Sequence, residues 1–101
     1  MAVHEFTWTV PADHPALAGH FPGRPIVPGV VLLDRAILYA ATLVSGGNGR
    51  WQIGNGKFLS PVGPGETLTF TLEIKASGSI ACRVRAGERD VASGSLTPGS
   101  A

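Results

Sequence analysis

Residues 29–44, GVVLLDRAILYAATLV, constrain the fold of this chain more than any other stretch. Apolar side chains fall on nearly every face, so periodicity alone does not separate helix from strand. Sixteen residues are too many for an ordinary strand, and the Ala and Leu content favours a helix despite the paired valines. Pro28 suits a first helical turn, where a missing N–H costs little, and Gly46-Gly47 supplies a stop. The stretch therefore predicts one helix of about 24 Å. A helix that is apolar nearly all round must be buried nearly all round. Asp34, Arg35, Tyr39 and Thr42 interrupt it, so it is too short and too polar to span a bilayer.

The rest of the chain predicts what can cover that helix. Phe6, Trp8 and Val10 alternate with Thr7 and Thr9, the period of a half-buried strand. Residues 11–28 then hold five prolines and two glycines, which leaves no long helix or strand. A loop of that length in a small domain is usually functional. Beyond the helix, residues 51–53 and 57–59 read as one glycine-interrupted strand. Pro64-Gly65 suits the centre of a type II turn. Leu68, Phe70, Leu72 and Ile74 alternate with polar residues over 67–75, and Ile80, Cys82 and Val84 alternate with Arg83 and Arg85. A weaker strand runs from about Asp90 to Leu96, and residues 97–101 read as a frayed tail. Strands joined by short turns predict an antiparallel sheet, giving an α+β domain over 1–101 with the sheet wrapped around one helix. One small sheet covers only one side of such a helix, and 101 residues make a thin core. A second copy of the chain is therefore expected to cover the remainder, making an obligate dimer.

Composition excludes several functions. Eight Lys and Arg against seven Asp and Glu give a net charge of +1, without the basic excess of a nucleic-acid binder. One cysteine permits no internal disulfide and no cysteine-rich metal cluster. The three histidines show no HxH or HExxH spacing, so no metal is expected. The N-terminus lacks a basic stretch followed by an apolar run, so no leader is expected and a cytoplasmic location is the default.

The loop and helix start read GHFPGRPIVPGVVLLD over residues 19–34. This stretch resembles the signature of the beta-hydroxyacyl-acyl-carrier-protein dehydratases, G-H-F-P-G-x-P-x-x-P-G-V followed by a carboxylate on the central helix. Lys57-Phe58 and the run from Pro61 to Glu66 resemble the family's second motif, K/R-F and then P-V-x-P-G-D. The likeness covers residues 6–96, and the first motif is the more specific. It implies the hotdog fold, a single antiparallel sheet around a central helix. It also implies that His20 and Asp34 are the catalytic pair, contributed by opposite protomers, with the Gly29 N–H polarising the thioester carbonyl. Phe21, Pro28, Val30 and Arg24 lie around these positions as expected substrate-binding residues. No cofactor is implied beyond the phosphopantetheine arm that carries the substrate on an acyl-carrier protein. The chain departs from the family in lacking a first strand, in Glu66 where the second motif has Asp, and in pairing a Glu-branch loop with an Asp carboxylate. That mixture resembles the short dehydratases of aryl-polyene and polyketide-like pathways.

The chemistry suits these residue types. Dehydration of a 3-hydroxyacyl thioester removes a weakly acidic C2 proton and expels hydroxide from C3, so it needs a base and an acid. His20 titrates near neutrality and suits the base. Asp34 sits in an apolar helix, a setting that favours the proton-carrying form an acid needs. Taken singly, an Asp on a helix is usually a solvated face residue and a His in a Pro/Gly loop an ordinary turn residue; their motif and spacing reverse that reading. His4 and His14 have no such support and are read as structural. Cys82, Trp8, Trp51 and Tyr39 are read as packing residues, and Arg83 and Arg85 as a solvated strand face. Arg24, with Lys57, is expected to dock the acidic carrier by complementary charge. Two other functions remain open: a thioesterase on the same fold, in which Asp34 activates water, and a catalytically silent acyl-binding subunit paired with an active relative. An isomerase side activity, known for the Asp branch of the resembled family, is not decided by the sequence.

Overall fold

The computed structural model describes residues 2–11, 27, 29–44 and 50–99. Five strands and one helix follow in the order β1 (Ala2–Thr9), α1 (Gly29–Ala41), β2 (Trp51–Phe58), β3 (Thr67–Ile74), β4 (Ile80–Ala86) and β5 (Arg89–Pro98). The strands make one antiparallel sheet in the order β1-β3-β4-β5-β2. β3, β4 and β5 are joined by short turns and lie side by side, while β1 and β2 occupy the two edges.

The register explains which face holds the core. Residues directly opposite each other point to the same side of a sheet. Phe6 faces Phe70, Phe70 faces Val84, Val84 faces Ala92, and Ala92 faces Phe58. One apolar row thus crosses all five strands. A parallel row runs through Ile74, Ile80, Leu96 and Ile53. Leu68, Phe70, Leu72, Ile80, Cys82, Val84 and Leu96 are buried, and Leu32, Ala36 and Ala40 of α1 pack against the same cluster. The alternation legible in β3 and β4 is the one the sheet uses. Tyr39 stacks on Phe6 at 4.4 Å between ring centroids and meets Phe70 edge-on at 5.3 Å, in keeping with a packing role.

Four features differ from expectation. The helix ends at Ala41 rather than Val44, because the Thr42 and Leu43 N–H groups turn back onto Tyr39 and Ala40, three residues earlier. The helix is not buried all round: Val30, Asp34 and Leu38, spaced at i, i+4 and i+8, form an exposed stripe opposite the sheet. β1 is longer than its alternation predicted, since pairing with β3 begins at Ala2. Residues 97–99 of the tail expected to fray are held: Thr97 and Pro98 pair with Gln52 and Trp51, and the Gly99 N–H donates to the Arg50 carbonyl at 2.6 Å, while residues 100–101 lie outside the described residues. The interruption expected in β2 is present as a register shift between Gly54 and Lys57, with Asn55 at a φ of 53°.

Candidate active site

The N-terminus of α1 opens on a cavity of about 520 Å³ lined by Val27, Gly29, Val30, Leu32, residues 58–61 and Val62. The first N–H groups of a helix have no acceptor within it and carry the positive end of its dipole. Gly29 adds no side chain in front of them. That position is tight as well as open: a Cβ at residue 29 would lie 2.7 Å from two carbons of the Phe58 ring. Phe58 ends the row that crosses the sheet, and it remains 55% exposed. It therefore walls the helix N-terminus on one side while its outer face meets solvent.

Phe58 also borders a second space, between α1 and the sheet, together with Leu32, Ala36, Cys82, Val84 and Leu96. That space holds only about 20 Å³, room for about one water and none for an acyl chain. Burial pushes the Cys82 thiol up to about 11, so it is a neutral packing group at physiological pH.

Asp34 lies five residues beyond Gly29, on a shallow groove with Trp8, Val31, Arg35 and Leu38. Its carboxylate is exposed and forms no ion pair among the described residues. Among the described residues, Trp8, Val31 and Leu38 lie beside it but do not bury it, because the helix turns Asp34 away from the sheet. Arg35, one position on, shares that groove but lays its guanidinium over the Trp8 ring at 4.5 Å. Among the described residues, Gly29 lines the cavity at the helix N-terminus and Asp34 lines the separate groove. Lys57 is exposed on β2 next to Phe58, and Val30 is exposed beside Gly29. His20, Phe21, Arg24 and Pro28 lie outside the described residues. Phe58 is the site residue that the residue-by-residue reading missed; its only signal was its place in the second motif.

Residues 2–95 match the family model of ApeI-like proteins, described as ApeI dehydratase. The chain belongs to the ApeI-like dehydratase family. The 3-hydroxyacyl-acyl-carrier-protein dehydratase FabZ of Chlamydia trachomatis is 38% identical over 102 residues, covering 87% of this chain and 66% of that protein. FabZ of Gluconacetobacter diazotrophicus is 38% identical over 77 residues, covering 67% of this chain and 48% of its own length. The chain thus spans between about half and two thirds of the length of these relatives. Among solved structures, the dehydratase heterocomplex ApeI:P from Xenorhabdus doucetiae superposes with a TM-score of 0.81 at 25% identity, over 94% of this chain and 85% of that one. An uncharacterized protein from Erwinia carotovora superposes at 0.70 with 31% identity, over 97% and 94% of the two chains. The fluoroacetyl-CoA thioesterase FlK shares the fold at 0.65, with 16% identity. The fold of this member of the family is therefore the hotdog fold that its loop and helix motif implied. Among the described residues, no helix is long and apolar enough to cross a membrane, and no group of three or more His, Cys, Asp or Glu could hold a metal.

Proposed function

We propose that this protein dehydrates a 3-hydroxyacyl thioester, carried on the phosphopantetheine of an acyl-carrier protein, to the trans-2-enoyl thioester. The observation that carries this reading is the side-chain-free helix N-terminus at Gly29, open on an apolar cavity, in a member of a dehydratase family. His20 takes the C2 proton. The electron pair moves onto the thioester carbonyl oxygen, which the Gly29 N–H stabilises as its charge grows. As the carbonyl re-forms, C2 and C3 become doubly bonded and the C3–O bond breaks. Asp34 gives its proton to the departing hydroxyl, which leaves as water, and the proton on His20 then resets Asp34 through solvent. Two side chains and one backbone amide suffice, without a metal or organic cofactor.

A second copy of the chain completes the site in this reading. It covers Val30 and Leu38, which are 60% and 55% exposed on either side of Asp34, and so encloses Asp34 in an apolar setting. A homodimer, or a larger ring of dimers, brings His20 of one protomer toward Asp34 of the other. The carrier docks beside the cavity mouth against Lys57 and Arg24. The protein works in the cytoplasm, in fatty-acid-like or aryl-polyene synthesis. The thioesterase likeness is one of fold alone and favours no change of reaction.

The test is the ultraviolet absorbance of the conjugated enoyl thioester, followed with wild type, His20→Ala and Asp34→Asn. Wild type is expected to form it, and both folded variants to lose activity by about 100-fold or more. Release of free thiol instead would make the protein a thioesterase. Inactivity of the wild type on carrier-bound and short thioesters alike would make it the silent subunit of a pair.

A further inference from the structure

The turn at residues 61–66, between β2 and β3, holds more of the molecule than its length suggests. The Val27 N–H donates to the Val62 carbonyl at 2.7 Å, two residues before Gly29. The Val10 N–H donates to the Glu66 carbonyl at 2.9 Å, and the Gly65 N–H returns a bond to the Val10 carbonyl at 2.8 Å. The chain therefore leaves β1 and re-enters α1 from the same turn. Pro61 and Val62 also line the cavity at the helix N-terminus.

One carboxylate shapes that turn. Glu66 Oε2 accepts the Gly63 N–H at 2.8 Å, and Glu66 Oε1 accepts Arg89 Nη2 at 2.6 Å. The same Nη2 donates to the Pro61 carbonyl at 3.3 Å. Gly65 stands at a φ of 83°, the left-handed conformation the tight turn requires. Both charged side chains are partly exposed, so their pairing adds little to global stability. Its effect is local: it ties the first, third and last residues of a six-residue turn together.

We propose that Glu66, seated by Arg89, is a positioning residue for the thioester-carbonyl site: it fixes the turn that fastens the start of α1 against the cavity wall. The catalytic part of this rests on the dehydration reading above. The hydrogen bond from Gly63, followed by the interactions with Arg89, holds the Glu66 carboxyl below its usual range. The clamp is therefore closed at neutral pH. It also anchors both ends of the stretch that carries His20.

Two readouts on Glu66→Ala and Glu66→Gln test it. The first is amide hydrogen exchange at Val27, with Phe70 and Leu72 of β3 as internal references for the intact sheet. The second is the split between kcat and KM on a 3-hydroxyacyl thioester. Glu66→Ala is expected to speed exchange at Val27 by about tenfold while the β3 amides keep their protection. It is expected to lower kcat by about 10- to 100-fold with KM within about threefold, as a misplaced site does. Glu66→Gln keeps an acceptor for Gly63 and is expected to fall between wild type and Glu66→Ala on both readouts. Unchanged exchange at Val27 in Glu66→Ala would overturn the clamp. Faster exchange with unchanged kcat would overturn the positioning role. A wild type that makes no enoyl thioester sinks the dehydration reading instead, and exchange alone then decides whether the clamp stands.

Discussion

Replacing Gly29 by Ala separates the chemistry of the helix N-terminus from its stability. The new methyl would meet Cε1 and Cζ of Phe58 at 2.7 Å and Cδ1 at 3.1 Å. Carbon atoms rest at about 3.5–4.0 Å, so the ring must move by about 1 Å. It is able to, because Phe58 is 55% exposed and sits at the end of an edge strand. Turning outward forfeits its remaining burial, about 1 kcal/mol on the scale of a whole Phe side chain. Alanine in place of glycine returns up to about 1 kcal/mol of helix propensity, and less in the first turn. The two effects nearly cancel, so the melting temperature is expected to move by no more than about 5 °C. Activity does not share that cancellation. The methyl stands before the N–H groups that the proposed mechanism uses to hold the carbonyl oxygen, and loss of such a donor costs about 100-fold or more. Enoyl-thioester formation by Gly29→Ala should therefore fall by about 100-fold in a folded protein. Adding Phe58→Ala makes room for the methyl without removing it, and is expected to recover less than about threefold of the activity. Activity of the single variant within about threefold of wild type would refute the role of this amide. Full recovery in the double variant would show that the displaced ring, and not the methyl, blocks the site.

Two further outcomes follow from the same geometry. Cys82 binds its proton more tightly in the folded chain than in the unfolded one, so its contribution is complete below the ordinary thiol range and lost as pH rises toward 11. Between pH 9 and 11, urea unfolding should show wild type losing about 2 kcal/mol relative to Cys82→Ala; parallel loss by both proteins would contradict the assignment. Leu38→Glu places a charge on the exposed stripe of α1 without touching the core, so circular dichroism should be unchanged. Association should weaken by about 2–3 kcal/mol per copy of the face, visible as a shift toward monomer in sedimentation; an unshifted dimer would mean that this face is not the interface.

Much of the fold was legible in local patterns. The alternation of Leu68, Phe70 and Leu72, and that of Ile80, Cys82 and Val84, depends only on the two-residue period of a strand, and the sheet buries those side chains. The turn at Pro64-Gly65 and the irregular β2 were equally local, set by residues that tolerate φ > 0. The helix was legible as a helix but not as to which of its faces is exposed. With apolar residues on nearly every side, the pattern holds no preferred direction. β1 and β5 were under-read because their ends, Ala2 and Pro98, have little strand propensity of their own and are held by cross-strand partners.

The same division runs through the site. His20, Asp34 and Gly29 were singled out by their places in one continuous motif that resembles the dehydratase signature, which a sequence displays directly. Three things appear only when distant segments meet: the Phe58 ring over Gly29, Asp34 facing away from the sheet, and Glu66 with Arg89 behind the turn that holds Val27. Glu66 and Arg89 are 23 positions apart, and Phe58 is 29 beyond Gly29. By itself the sequence determined the element types, the inward side chains of β3 and β4 and the motif residues, because each depends on short-range periodicity or order. Tertiary structure alone decided which helix face is left uncovered and which residues guard its N-terminus, because those depend on how a five-stranded sheet brings remote segments together.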